Sequence, residues 1–349
     1  MAAARVVELT ARIGESAALK GWVRTIRRHK KVSFLELNDG STFGNLQVVC
    51  EGQGPLQPVV DGLTVGCSVE LEGTVSEHRG SVELHATALA VTGECPQDDY
   101  PLQKKEHSLE FLRQHPNLRA RTKTLGGALR VRHELSRGLR AFFDKRDFIG
   151  VSTPIMTPSD CEGAGELFLA ERAELVLGGE EGAATPGAAL AAGGGFFGEP
   201  MFLTVSGQME AEMFACALGR VYTFGPAFRA ENSSTSRHLA EFWMLEPEVA
   251  WTTLPELLDL AEGAVRHAVA TAQSACGEEM AFFAARSQSD AGDGSERAGG
   301  EAAAGSGAGA GAASSRASAV DLAQQHEVSF LLFTVTFHAN HAHNLTRSP

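Results

Sequence analysis

The first ninety residues constrain the fold more than any other stretch. Between residues 6 and 91, apolar and polar side chains alternate in short runs: 21–26 (GWVRTI), 32–37 (VSFLEL), 45–49 (NLQVV), 68–75 and 81–91. A period of two puts every second side chain on one face, so each run reads as a half-buried strand. Asn38-Asp39-Gly40 supplies the residues of a tight turn between two of them. Five short strands of this kind are consistent with a small closed barrel of the OB type, assigned to residues 1–95.

The pattern then changes. Pro96, Pro101 and Pro116 punctuate residues 96–125, which read as a hinge without regular structure. From 129 to 143 the positions Leu135, Leu139, Phe142 and Phe143 recur at helical spacing, and the helix is expected to stop near Arg146-Asp147 before 148–154 extends as a strand. Further strands are expected at 202–205, 221–224 and 242–249, with helices at 208–218 and 254–275. Strands and helices do not alternate regularly, so an α+β domain built on an antiparallel sheet is expected over 126–283. Its Gly/Ala-rich insert at 171–195 and the low-complexity segment at 284–320 lack the apolar surface that offsets ordering entropy, and both are expected to be disordered.

The formal charge of −13 argues against indiscriminate coating of nucleic acid, DNA included, but the charge is unevenly spread. Residues 20–31 hold six Lys or Arg and no acid, and 104–146 hold twelve against four acids. After Arg146 there is no lysine, and acids far outnumber the nine arginines. A basic amino-terminal part is the footprint of a polyanion held on one side; solvated helix faces are the plainer alternative. The cysteines at 50, 67, 95, 161, 216 and 276 form no CxxC pair, which indicates neither a zinc knuckle nor a disulfide framework. No apolar run approaches the length of a membrane span, and the first residues lack a secretory core. The barrel pattern starts within a few residues of Met1, so a cytoplasmic protein is expected, an organelle being the alternative if the amino terminus is incomplete.

The run at 228–242 (FRAENSSTSRHLAEF) carries the chemistry. Arg229 and Glu231 alternate on one strand face, and a polar loop returns through Arg237-His238 to Glu241-Phe242. Such a hairpin gathers guanidinium, imidazole, carboxylates and an aromatic ring around a small volume. Arginine's planar fork suits phosphate, and an aromatic face stacks a purine. A nucleotide site is one reading; a surface hairpin with ordinary ion pairs is the other.

This run resembles motif 2 of the class II aminoacyl-tRNA synthetases, and 147–154 (DFIGVSTP) resembles their motif 1. With 100–105 (YPLQKK), 159–166 (SDCEGAGE) and 205–208 (VSGQ), the resemblance is to asparaginyl-tRNA synthetases of the aspartyl/asparaginyl/lysyl subgroup, over residues 15–168 and 196–275. It implies an asparagine–tRNA ligase: a homodimer with Pro154 at its interface that uses ATP and Mg²⁺, asparagine and the asparagine tRNA. By position, Arg229 is implied as the catalytic residue on the ATP α-phosphate, Glu231 lies near the adenine amino group, Phe242 stacks the adenine, and Arg237 and His238 face the outer phosphates. Glu241 is implied at the Mg²⁺, Glu162 at the substrate ammonium and Gln208 beside the substrate backbone. Catalysis of this kind is alignment and charge stabilisation, with no covalent nucleophile.

The choice of amino acid has a physical argument of its own. Aspartyl enzymes of the subgroup carry a lysine three residues after the glutamine, whereas this chain reads Gln208-Met209-Glu210-Ala211-Glu212. A neutral amide is acceptable there and an anionic side chain lacks its counter-charge, so asparagine is favoured and Glu212 becomes a candidate amide contact. An aspartate-charging enzyme and a tRNA-binding relative without activity are the alternatives. In the barrel, the resemblance assigns Phe34 to stacking of the central anticodon base and Gln47 to its hydrogen-bonding edge, with Arg24, Arg27, Arg28, Lys30 and Lys31 on phosphates. Phe34 as a plain barrel-core residue is the alternative.

The resemblance ends after residue 275. Gly307-Ala308-Gly309 with Arg316 imitates the family's motif 3 but has no strand before it, and is rejected. The tail 321–349 is atypical; its His338, His341 and His343 are spaced closely enough for a metal, but a segment foreign to this fold is the preferred reading.

Overall fold

The computed structural model describes residues 3–52, 54–102, 105–161, 163, 165–171, 196–232, 239–298, 334–335 and 338–340. The chain divides into two compact units, Met1–Leu129 and Arg130–Pro349.

In the first unit, β1 (Ser16–Arg28), β2 (Val32–Asn38), β3 (Leu46–Glu51), β4 (Ser68–His78) and β5 (Ser81–Gly93) close a barrel in the order β1-β2-β3-β5-β4. Only the β3–β5 seam is parallel. Closure removes the exposed edges an open sheet would leave, and the short helix α1 (Gln57–Gly62) lies between β3 and β4. The alternation sorts side chains as expected: Leu35 and Leu37 are fully buried, while Phe34 and Glu36, at the alternate positions, stand on the outer face. Asn38-Asp39-Gly40 does not make a tight two-residue turn. The Asn38 amide donates to the carbonyls of Thr42 and Gly44, and the Asp39 carboxylate accepts from the Ser41 amide and hydroxyl. Side-chain capping thus stabilises a longer loop between β2 and β3.

The hinge is not devoid of regular structure. It contains α2 (Leu109–Arg113), capped by Ser108 whose hydroxyl accepts from the Phe111 amide, and a single 3-10 turn at Arg119–Arg121. Tyr100, Leu102 and Leu112 bury one another there in a small cluster of their own. Proline punctuates this segment but does not strip it of apolar side chains. Helix α3 (Lys123–Asp144) also begins earlier than 129, because the Thr122 hydroxyl accepts from the Leu125 amide and caps it.

The second unit contains β6 (Ile149–Val151), β7 (Met156–Thr157), β8 (Phe168–Ala170), β9 (Met201–Leu203), α4 (Gln208–Leu218), β10 (Arg220–Phe228), β11 (Glu241–Ala250), α5 (Leu254–Ala275), α6 (Gly277–Ala298), β12 (Thr334–Val335) and β13 (His338–Asn340). The long antiparallel pair β10–β11, from Arg220↔Val249 to Phe228↔Glu241, is its centre. β6 joins β10 in parallel, and β12 and β13 run parallel to β11; β7, β9 and β8 form a small antiparallel sheet. Of the expected strand 148–154 only β6 forms.

One face of the β10–β11 pair carries Tyr222, Phe224, Leu245 and Val249 into a core with Leu139, Phe142 and Phe143 of α3 and Ala264 and Ala268 of α5. The opposite face carries Val221, Thr223, Glu246 and Glu248 toward α4, whose Ala211 and Ala215 pack on Val221. Small residues on α4 let it lie close to the sheet. The segment expected to be disordered from 284 onward instead continues α6 to Ala298, despite Gly292, Gly294 and several serines and aspartates. The insert from 172 to 195 and residues 299–333 lie outside the described residues, as do His341 and His343.

Candidate functional site

The site in the second unit starts at the open end of the β10–β11 pair. β10 stops at Phe228, so Arg229 and Glu231 lie just past the strand, yet the pairing persists: the Arg229 amide donates to the Ala240 carbonyl at 3.0 Å. The Ala230 amide donates to the Glu166 carbonyl at 2.8 Å, which ties the hairpin to the SDCEGAGE segment. Gly165 leaves little room for a side chain at that crossing. A Cβ there would come within 3.1 Å of Arg229 Cγ and Cδ and 3.4 Å of Glu231 Oε1.

The Arg229 guanidinium carbon sits 5.4 Å from the centroid of the Phe242 ring. Its Nε is buried and has no hydrogen-bond partner among the described residues. A buried donor left unpaired is costly, so this N–H is poised for an acceptor that the described residues do not supply. Glu241, opposite Phe228 at the mouth of the pair, is exposed. Arg237, His238 and Glu162 lie outside the described residues.

A second cluster lies at the amino-terminal end of α4. The Phe228 amide donates to the Thr204 carbonyl at 2.8 Å, and Thr204 Oγ1 donates to the Ser206 carbonyl at 2.5 Å, so a short stretch connects the hairpin to Gln208. Ser206 Oγ accepts from the Gln208 amide and donates to Glu246 Oε1, while the Gly207 amide donates to Glu246 Oε2. Glu246 is thereby consumed in anchoring the helix start to β11. Gly207 allows this approach, since a Cβ would meet Thr153 Oγ1 at 2.7 Å and Thr223 Cγ2 at 2.8 Å. The buried Gln208 amide is held at both ends: its Nε2 donates to Glu212 Oε1 at 2.8 Å, and Cys161 Sγ donates to its Oε1 at 3.6 Å.

Sequence reasoning passed over Glu246 and Glu248. Glu248 is fully buried and neither carboxylate oxygen has a hydrogen-bond partner among the described residues. Burial, reinforced by the neighbouring Glu212 and Glu246 carboxylates, pushes its carboxyl up to about 8. A signal was available: two acids at alternate positions of an otherwise apolar strand must both point to one buried face. Pro154 is exposed, with exposed Ile155 and Met156 following it.

On the barrel, Arg27, Phe34 and Gln47 share the outer face of β1, β2 and β3. The Arg27 guanidinium lies 5.9 Å from the Phe34 ring centroid and its Nη2 donates to Gln47 Oε1 at 3.4 Å. The structure therefore separates Phe34 from the barrel core. Arg28 is otherwise engaged: its guanidinium donates to the Val60 and Leu63 carbonyls at the end of α1. Arg24 is half-buried beside Tyr100, and burial holds it below the ordinary arginine range.

The family model described as tRNA synthetases class II (D, K and N) matches residues 108–289, just over half of the chain, and that described as an OB-fold nucleic acid binding domain matches residues 17–92. The chain belongs to the class II tRNA synthetases of this D, K and N group. Within it, the curated relatives it matches include the asparagine–tRNA ligase of Syntrophobacter fumaroxidans, 49% identical over 78% of this chain and 58% of that protein. The asparagine–tRNA ligase of Protochlamydia amoebophila is 45% identical over 79% of this chain and 59% of its own length. The fold is similar to that of Pyrococcus horikoshii asparaginyl-tRNA synthetase complexed with asparaginyl-adenylate, with a TM-score of 0.68 and 26% identity over 81% of this chain and 61% of that one. The chain thus spans about three fifths of the length of these relatives.

Proposed function

We propose that the second unit is the catalytic part of an asparagine–tRNA ligase. The asparagine carboxylate attacks the α-phosphorus of ATP, pyrophosphate leaves, and the asparaginyl group then passes from the adenylate to the terminal ribose hydroxyl of tRNA with release of AMP. The buried Nε–H of Arg229, which has no partner among the described residues and lies beside the Phe242 ring, carries the reading. It supplies what an α-phosphate oxygen needs as charge builds on it, and the ring supplies a face for adenine. Glu231 and, in the loop, Arg237 and His238 are assigned to the rest of the nucleotide, Glu162 to the amino acid ammonium.

Asparagine, rather than aspartate, follows from the cluster on α4. Ala211 is completely buried, so no cation occupies its position, and the Glu212 and Glu246 carboxylates nearby are strong enough to help raise the buried Glu248. An incoming carboxylate would be repelled, a difference of several kcal/mol (~2–4) in a water-poor pocket, whereas an amide N–H can be accepted by Glu212. Among the described residues no group of three or more His, Cys, Asp or Glu is arranged to hold a metal ion. A single carboxylate such as Glu241 nevertheless fits Mg²⁺, which takes its remaining ligands from phosphate and water. When bound, the ion would neutralise phosphate charge. A homodimer is proposed around Pro154, because Ile155, Met156, Met213 and Phe214 expose apolar surface in this one copy. No helix among the described residues is long and apolar enough to cross a membrane, and a cytoplasmic location is our reading.

Asparagine-dependent pyrophosphate exchange tests the proposal. Exchange with asparagine and none with aspartate is expected, and Arg229→Ala should reduce it by about 100-fold or more. Retention of tRNA with no exchange would instead establish the non-catalytic tRNA-binding alternative.

A further inference from the structure

Two cysteines far apart in sequence meet at one end of the barrel, away from every residue assigned above. Cys67 and Cys95 lie just beyond the Ser68↔Gly93 pair, where β4 begins and β5 has ended. The Cys67 backbone is fixed: its carbonyl accepts from the Val23 amide at 2.9 Å, and its amide donates to the Thr64 carbonyl at 3.3 Å. The Thr64 hydroxyl links the two cysteines. It lies 3.1 Å from Cys67 Sγ and donates to the Cys95 carbonyl at 2.5 Å. Gly66, at φ 98°, precedes Cys67, and a Cβ there would come within 2.7 Å of Cys95 Sγ. The Cys95 sulfur therefore rests against the backbone of a residue whose Cα is about 3.8 Å from that of Cys67. Both cysteines pack on the barrel core, and both are free thiols.

A disulfide bridges Cα atoms roughly 4.4–6.8 Å apart, and contacts this close around Thr64 and Gly66 suit that span. The two sulfurs differ in access: Cys67 is 3% exposed, whereas Cys95 is only partly buried. We propose that Cys67 and Cys95 form a reversible modification site, in which a low-molecular-weight disulfide such as oxidised glutathione converts the pair into a bond that staples the end of β5 to the start of β4. The Cys95 thiolate attacks one sulfur of the reagent, the reagent's S–S bond breaks, and one glutathione leaves as thiolate. The Cys67 thiolate then attacks the Cys95 sulfur of the mixed disulfide, and the second glutathione leaves. Two electrons pass from the cysteine pair to the reagent, and the two thiol protons end on the two released glutathiones. Burial raises the Cys95 thiol, with Cys67 and Asp99 adding to the rise and Arg121 opposing it. The thiolate is therefore scarce at neutral pH, exchange is slow there, and free thiols are the resting state in a reducing compartment.

The test uses the intact, folded chain. It is incubated with excess oxidised glutathione at about pH 8.5, where an ordinary thiol is half ionised, then quenched with acid, alkylated and digested for peptide mapping by mass spectrometry. A single linked pair, Cys67 to Cys95, is expected, with Cys50 still a thiol and dithiothreitol reversing the bond. The exposed Cys216 reports that the reagent is active by taking up glutathione. The closed loop restricts the unfolded chain, so the thermal midpoint of the oxidised barrel should rise by about 5–10 °C. Cys67→Ser should stop at glutathione on Cys95, whereas Cys95→Ser should leave Cys67 unmodified, because the buried sulfur has lost its route; circular dichroism checks that both variants are folded. The proposal is overturned if both cysteines stay thiols while Cys216 reacts, if either one bridges to a different cysteine, or if the bond forms only in urea. Glutathione on Cys67 in Cys95→Ser, or an unchanged midpoint in the oxidised chain, would overturn it equally.

Discussion

Replacing Glu248 by glutamine should change how the stability of the chain depends on pH. The native carboxyl titrates near 8 and an ordinary one at 4.5, so between these values the folded chain binds one proton more than the unfolded chain. Stability contributed by this group is fully present below 4.5 and is lost as pH rises through 8. The limiting slope is a loss of about 1.4 kcal/mol per pH unit, and over the interval of about 3.5 the limit is about 5 kcal/mol. Relaxation and water penetration around a buried charge reduce such limits, so about 2–3 kcal/mol is expected. Glu248→Gln carries no titrating proton and should lack this loss. The measurement is urea unfolding followed by tryptophan fluorescence at pH values spanning about 5 to 9 for both proteins. The two units contribute equally to both, so the difference between the profiles isolates position 248. Parallel profiles, within about 0.5 kcal/mol across that range, would refute the assignment of Glu248 as a buried, protonated acid.

Three further outcomes follow from the geometry. Gly165→Ala places a methyl 3.1 Å from Arg229 Cγ and Cδ, and should raise the KM for ATP in pyrophosphate exchange about 10-fold with a change in unfolding free energy below about 1 kcal/mol. Ala211→Lys introduces a long cation where the side chain is fully buried against Val221; it should destabilise the chain by about 2–4 kcal/mol in denaturant titration, and exchange with asparagine should be lost. Phe34→Ala removes an outward-facing ring and should weaken binding of an anticodon hairpin by about 1–3 kcal/mol, with no loss of barrel stability beyond about 1 kcal/mol.

Much of the scaffold was legible because its signals are local. The bounds expected for the helices at 208–218 and 254–275 coincide with α4 and α5, which are delimited by Gly219 after the first and by the Thr253–Glu256 capping pair before the second. The five barrel runs were visible because a period of two is a property of neighbouring residues. Where the reading failed, a side chain intervened that pattern alone does not weigh. Thr122 moved the start of α3, Asn38 and Asp39 built a longer loop, and buried Tyr100, Leu102 and Leu112 gave the hinge a core. At the site, residue types offered a nucleotide reading and the resemblance supplied the roles, but nothing in the spacing of Arg229 and Phe242 says that the guanidinium lies over the ring or that its Nε has no partner among the described residues.

By itself the sequence determined the strand and helix periods and the residue types gathered at the hairpin, because these depend on neighbours along the chain. The tertiary structure decided which face of β2 carries Phe34, that Glu246 is used up in holding α4, and that Glu248 keeps its proton. Each of those depends on burial and on partners distant in sequence, and a carboxyl group acquires its charge state and its hydrogen bonds only from the residues that the fold brings around it.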